Sequence, residues 1–143
     1  LTAALAIAER TGDRGEIAQC VNGTAIVHFR CGRLDDAEEL FSAARTHARW
    51  AGDVRLMALT SLNLGALAIH RGEFAAALSH LRRALVDFRR MDAPDHMASA
   101  LANLALVYTR LARWDDALGA FAEAVAIAER GDNRESLATI LLN

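Results

Sequence analysis

The sequence contains little cysteine, proline or aromatic residue, and these shortages exclude several protein classes. One proline and two cysteines occur among 143 residues, and aromatic residues make up 6% of the chain. Cys20 and Cys31 lie eleven residues apart. On one helix this spacing places them about 16 Å apart, too far for the roughly 7 Å that a disulfide allows between Cα atoms. Two unpaired thiols are typical of a reducing compartment, so we expect a cytoplasmic protein.

Long apolar runs and an excess of one charge are also absent. No apolar stretch reaches the roughly 20 residues that a bilayer-spanning helix needs, and we expect no membrane partner. The net charge of −2 provides no basic field for nucleic acid, which we do not expect as a direct partner. The chain begins at Leu1 without a signal-peptide pattern, so we expect it to be part of a longer protein.

Alanine is abundant, and it recurs with a period of forty residues. Shifting the chain by forty aligns it with itself without a gap, as shown by the phrases "RLDDAEELF" and "RWDDALGAF". Small residues and one large residue occupy matching positions in each period. These positions are Ala25, Gly65 and Ala105; Ala37, Ala77 and Ala117; Phe41, Leu81 and Phe121; and Ala44, Ala84 and Ala124.

Each period contains two helical patterns. In the third period, apolar residues at spacings of three and four mark one helix from Ala98 to Tyr108, and a second helix follows from Trp114. A short break, usually containing glycine, separates them, as expected for a helix end that needs a left-handed residue. Asp13 begins a capping box with Glu16. The pairs Asp35-Asp36 and Asp115-Asp116 fall in the first turn of the second helix. Negative charge there interacts favourably with the helix dipole.

These columns resemble the tetratricopeptide repeat, in which two antiparallel helices cross closely at small residues. The resemblance covers essentially the whole chain and implies an all-α, right-handed superhelical solenoid. Two features differ from the usual unit, since the repeat is forty residues rather than about 34 and the proline near its end is absent. A forty-residue form with "AERTGDR" linkers is similar to a subgroup found in bacterial signal-transduction ATPases, transcription regulators and spindle-orientation adaptors.

We predict one repeat domain over residues 1–143, as a fragment of a longer array. A helix remnant covers residues 1–11, and a partial helix covers residues 133–143 at the other end. Three repeats lie between them, at about 14–51, 54–92 and 93–131. We also expect Trp114 to pack at the start of its helix, so that its replacement by alanine costs roughly 3–5 kcal/mol.

The resemblance implies a concave groove lined by the first helix of each repeat. No lysine occupies the positions at which one subgroup binds a peptide carboxylate, whereas the centre of the groove is apolar. We therefore expect an amphipathic helix or an extended hydrophobic peptide as the partner. The predicted groove residues are Asn22, Ile26, Phe29, Leu59, Leu62, Asn63, Ala66, Ile69, His70, Ala102, Asn103, Leu106 and Arg110.

Two interpretations of these side chains stay open. The asparagines either hydrogen-bond a bound peptide backbone or fix the spacing between repeats. The leucines either face the groove or pack against flanking repeats.

No sequence motif indicates catalysis. The five histidines include no pair with metal-ligand spacing, and no phosphate-binding loop or nucleophile motif occurs. His28 occupies a core aromatic position, and Cys20 and Cys31 are expected to be small core residues. We therefore expect no enzyme activity, metal or cofactor.

Three functions remain as hypotheses. The first is a protein- or peptide-binding scaffold that uses the groove. The second is a ligand-sensing or autoinhibitory segment of a multidomain bacterial regulator. The third is a self-association module that uses uncapped ends, since repeat arrays need polar terminal repeats for solubility.

Overall fold

Six α-helices form the fold in the computed structural model, which describes residues 12–130. Within this range no strand occurs. The helices begin at residues 14, 34, 54, 74, 94 and 114, so both the first and the second helix of each pair recur every forty residues. The helix remnant predicted over 1–11 and the partial helix over 133–143 lie outside the described residues. The helices are α1 Arg14–Arg30, α2 Leu34–Ala51, α3 Val54–Arg71, α4 Phe74–Arg90, α5 Pro94–Arg110 and α6 Trp114–Arg130.

The helix ends follow the predicted capping chemistry. The Asp13 carboxylate accepts hydrogen bonds from the backbone N–H groups of Gly15 and Glu16, at 2.8 and 3.2 Å. Asp53 caps α3 in the same way, at 2.9 Å from the Leu56 nitrogen. Such caps satisfy N–H groups that have no partner inside the helix. Left-handed residues end the first helices, including Gly32 and Gly72, both with φ of +75°.

Small residues allow each first helix to cross its second helix closely. Ala37, Ala77 and Ala124 are fully buried. At the α3–α4 crossing, Leu81 is fully buried against Gly65, and a Cβ atom on this glycine would lie 2.6 Å from Leu81 Cδ2. Hence the recurring small and large columns predicted from the sequence form the core of the helix pairs.

Neighbouring pairs stack so that the first helices lie closer together than the second helices. The Cα atoms of α1 approach α3, and those of α3 approach α5, to within 8 Å. In the described part of the chain, α2 and α4 make no such approach, nor do α4 and α6. The stack therefore curves with α1, α3 and α5 on its inner side, as a helical-repeat solenoid requires.

Three predictions about single residues need correction. Trp114 is 61% exposed at the start of α6. Its replacement therefore removes no buried side chain, and the large predicted cost no longer follows. Cys31 is exposed in the turn after α1 rather than in the core, and Cys20 is half-buried. His28 is half-buried and lies 3.1 Å from the Asp36 carboxylate rather than in a closed apolar core.

Candidate functional site

The predicted groove residues all lie on the first helices of the pairs, α1, α3 and α5. We call these thirteen residues the first-helix surface. Ile26 is 37% exposed, and His70 and Arg110 are also exposed. The other ten residues are partly buried. Every residue of the first-helix surface is thus at least partly accessible to solvent.

The apolar residues of this surface divide into two groups. Leu59, Leu62 and Ile69 pack partly against the buried cluster that joins α3 to α6. Leu106 and Ile26 belong to none of the buried clusters that the described residues form. The α3 side chains therefore contact the core and also retain accessible area, and the two interpretations of the leucines both stay open.

One asparagine pair connects neighbouring repeats. The Asn63 Nδ2 atom on α3 donates a hydrogen bond to Asn22 Oδ1 on α1, at 3.3 Å. Asn103 has no equivalent partner, because the position that corresponds to Asn22 holds Leu62 in the second repeat. The hydrogen bond agrees with the spacing role for Asn22 and Asn63, whereas Asn103 makes no equivalent hydrogen bond within residues 12–130.

An aromatic contact also joins the first two repeats. The rings of Phe29 and His70 lie edge to face, with centroids 5.0 Å apart and an interplanar angle of 90°. This geometry is favourable for ring pairs. His70 therefore contributes to packing between α1 and α3, and its ring forms part of the end of the first-helix surface.

A column of basic residues follows the C-terminal ends of the first helices. Arg30, His70 and Arg110 occupy the same position in successive repeats, and all three are exposed. The helix dipole favours positive charge at this end. Beside the apolar residues of the first-helix surface, Arg30 and Arg110 provide positive charge that a partner with acidic residues would complement.

The described residues offer no site for metal chemistry. Between residues 12 and 130, no group of three or more His, Cys, Asp or Glu side chains has a geometry that could hold a metal ion. In the same range, no helix is both long enough and apolar enough to span a membrane. The chemistry available on the first-helix surface is therefore apolar contact, amide hydrogen bonding and positive charge.

A second concave region, which the sequence patterns do not predict, lies on the outer side. Arg45 and Arg49 on α2 and Arg83 on α4 line a cleft of about 320 Å³. The sequence does carry a signal for this cleft, because the charge at one repeat position is reversed. Arg83 in the second repeat corresponds to Glu123 in the third. Recognising it required knowing that α2 and α4 face each other across α3.

The described chain is thus a solenoid of antiparallel helix pairs with an accessible inner surface. The tetratricopeptide repeat family model matches residues 19–89 and 56–130. The chain therefore belongs to the tetratricopeptide repeat family. No curated protein sequence matches it significantly. The assignment to the forty-residue subgroup stays a prediction.

Two solved structures show the same fold. The chain is similar to aspartyl phosphate phosphatase F from Bacillus subtilis, with a TM-score of 0.83 and 18% identity over 89% of this chain and 33% of that protein. It is also similar to BtubC (BKLC) from P. vanneervenii, with a TM-score of 0.77 and 22% identity over 90% of this chain and 55% of that protein. The chain thus spans about a third and about half of these two proteins.

Proposed function

We propose that this chain is a non-catalytic scaffold that binds a protein or peptide along the first-helix surface. The observation that carries this proposal is the set of apolar side chains on the first helices that keep accessible area in the part of the chain that the structure describes. Ile26 and Leu106 are the main examples, since they belong to no buried cluster formed by residues 12–130. Partly exposed apolar residues in a concave surface favour binding of an apolar peptide face.

The partner is expected to combine an apolar face with an acidic edge. The apolar face would contact Ile26, Leu62 and Leu106, and the acidic edge would lie beside the column formed by Arg30, His70 and Arg110. Asn103 would hydrogen-bond the backbone of an extended peptide, because an amide group both donates and accepts. An amphipathic helix or an extended hydrophobic peptide meets these requirements.

The proposal is tested with peptides selected from a displayed random library on the wild-type protein. The affinity of a selected peptide is then measured by fluorescence polarisation for Ile26→Asp and Leu106→Asp. Because a charge on either side chain would be desolvated by an apolar partner, we expect each change to weaken binding roughly tenfold or more.

Val86→Asp provides the matched control. Val86 is 46% exposed on the second helix α4, so the change introduces the same charge on the outer side. We expect this variant to bind like the wild type, and circular dichroism to show unchanged helicity in all three variants. Wild-type affinity in both folded inner variants, or a loss confined to the control, would overturn the proposal.

A further inference from the structure

The cleft on the outer side arises from the curvature of the solenoid. Because α2 and α4 diverge, they leave a gap whose floor is the outward side of α3. Met57 and Ser61 form this floor, Arg45, Thr46 and Arg49 form one wall, and Arg83 forms the other. Three guanidinium groups therefore share one cleft of about 320 Å³.

These three arginines have no carboxylate partner among the described residues. In contrast, Arg71 on the inner helix α3 pairs with Asp35 and Glu38, and Arg113 pairs with Asp116 at 2.6 Å. The hydroxyl groups in the cleft are already used as donors, since Thr46 donates to the Ser42 carbonyl and Ser61 to the Met57 carbonyl. The donors left for a ligand are therefore the guanidinium groups.

The positive charge of the cleft also acts on the neighbouring side chain of His80. Burial lowers the pKa of His80, and the charge of Arg45 lowers it further, while Glu38 opposes the shift. The contribution of Arg45 places its positive charge near His80 on this part of the outer side.

The next gap in the same protein shows how an equivalent cleft is neutralised. Between α4 and α6, Arg89 pairs with Glu123 at 2.6 Å. A shift of forty residues relates Arg49 to Arg89 and Arg83 to Glu123. In the first gap, between α2 and α4, Arg83 thus occupies the position that corresponds to Glu123, whose carboxylate neutralises Arg89 in the second gap, between α4 and α6. Arg45 adds a further positive charge where the second gap has Leu85.

We propose that the cleft between α2 and α4 binds a phosphate group, which supplies the negative charge that Glu123 supplies in the next gap. A phosphate monoester carries about −1.5 to −2 charge at pH 7 and presents three acceptor oxygens. Guanidinium groups bind such oxygens through paired, charge-assisted hydrogen bonds. One carboxylate balances one arginine in the second gap, whereas three arginines in the first gap favour the more highly charged anion.

The same chemistry comes from a phosphorylated side chain of another protein or from a small free phosphate. We distinguish them with three probes, which are inorganic phosphate, a short peptide with one phosphoserine, and the same peptide with serine. Binding is followed through the Nε–Hε signals of the arginine side chains in ¹⁵N-labelled protein, with Arg33 as an internal reference outside the cleft.

We expect saturable shifts at Arg45, Arg49 and Arg83 with phosphate and with the phosphopeptide, and none with the serine peptide. Phosphopeptide affinity at least about tenfold above that of phosphate would assign the ligand to a phosphorylated protein. Similar affinities would assign it to a small phosphate. Absence of saturable shifts, or equal shifts at Arg33, would overturn the proposal.

Two variants and one matched control complete the test. Arg83→Glu introduces the residue type of position 123 and should lower phosphate affinity roughly tenfold or more, because it replaces a charged donor by a repelling charge. Arg49→Gln should also weaken phosphate binding, although it removes a charge rather than reversing one. Arg33→Glu changes the net charge as Arg83→Glu does, but outside the cleft, and should bind like the wild type. Phosphate binding at wild-type affinity by both folded cleft variants would contradict the assignment.

Discussion

At the scale of single residues, Gly65 shows how one position depends on its partner across a helix pair. The corresponding residues in the other repeats are Ala25 and Ala105. A Cβ atom on Gly65 would lie 2.6 and 2.7 Å from two carbon atoms of Leu81, which is fully buried. The first-helix residue is therefore glycine in this repeat because the opposing side chain occupies the space of a methyl group.

Gly65→Ala is expected to lower the free energy of unfolding by roughly 1–2 kcal/mol, because overpacking outweighs the gain in helix propensity. Gly23→Ala is the matched control, since Gly23 is also helical but an added Cβ would meet nothing within 4 Å. We expect this control to stabilise the protein by up to about 1 kcal/mol. Urea unfolding followed by circular dichroism measures both. Stabilisation by Gly65→Ala would show that the crossing tolerates the methyl group.

At the scale of helices, the turns between the two helices of each pair share one backbone conformation. Gly32, Gly72 and Ala112 occupy the same position in successive repeats, with φ of +75°, +75° and +55°. An L-residue with a Cβ atom loses roughly 1–2 kcal/mol in the left-handed region relative to the right-handed one. The third turn therefore adopts the required conformation at a cost that the first two avoid.

Ala112→Gly is expected to raise the free energy of unfolding by about 1 kcal/mol, because glycine adopts positive φ without steric penalty. Gly72→Ala is the reciprocal change and should destabilise by a similar amount. No atom lies within 4 Å of a Cβ atom placed on Gly72, so the effect would come from the backbone alone. Thermal or urea unfolding tests both, and equal effects of the same sign would contradict the backbone explanation.

At the scale of the whole molecule, the stability of the stack depends on partly buried histidines in two successive repeats. His80 lies on α4, and His96 lies in the first turn of α5 with its ring 5.0 Å from that of Phe88. Burial lowers the pKa of both groups below the ordinary value of 6.5, and neighbouring arginines lower it further. The folded state therefore prefers both rings neutral.

The free energy of unfolding should consequently fall as pH drops. Well above about pH 6.5 both states hold these histidines neutral, and no penalty arises. Below this value the unfolded chain binds protons before the folded chain does, so stability decreases until the pH passes the lowered folded-state pKa values. Urea unfolding at pH 7.5 and 5.5 measures the effect. The double variant His80→Gln and His96→Gln should lose much of the difference, and an unchanged difference would exclude these histidines as its source.

The fold could be predicted from the sequence because its determinants are local and repeated. Asp13 and Asp53 cap helices through atoms within three residues, and Gly32 and Gly72 end helices through their own φ angles. The small columns identify the helix crossings because they recur in phase with the helices. Only periodicity and short-range chemistry are needed for these features.

The candidate site could be predicted only in part. The sequence placed thirteen residues on the inner helices, but not whether Leu62 packs against the core or Leu106 stays outside it. Helical periodicity identifies an apolar face without identifying what covers it. The Asn22–Asn63 hydrogen bond similarly depends on the distance between α1 and α3, which no local pattern encodes.

The sequence by itself determined the helix pairs, their forty-residue period and the residues at each crossing, since these depend on hydrogen bonds and sterics between near neighbours in the chain. Only the tertiary structure decided which faces remain open. Arg45, Arg49 and Arg83 line one cleft because helices that are far apart in sequence stack and diverge, and the exposure of Trp114 is likewise seen only in the folded chain. Exposure and charge balance are properties of several helices together, and no single helix carries them.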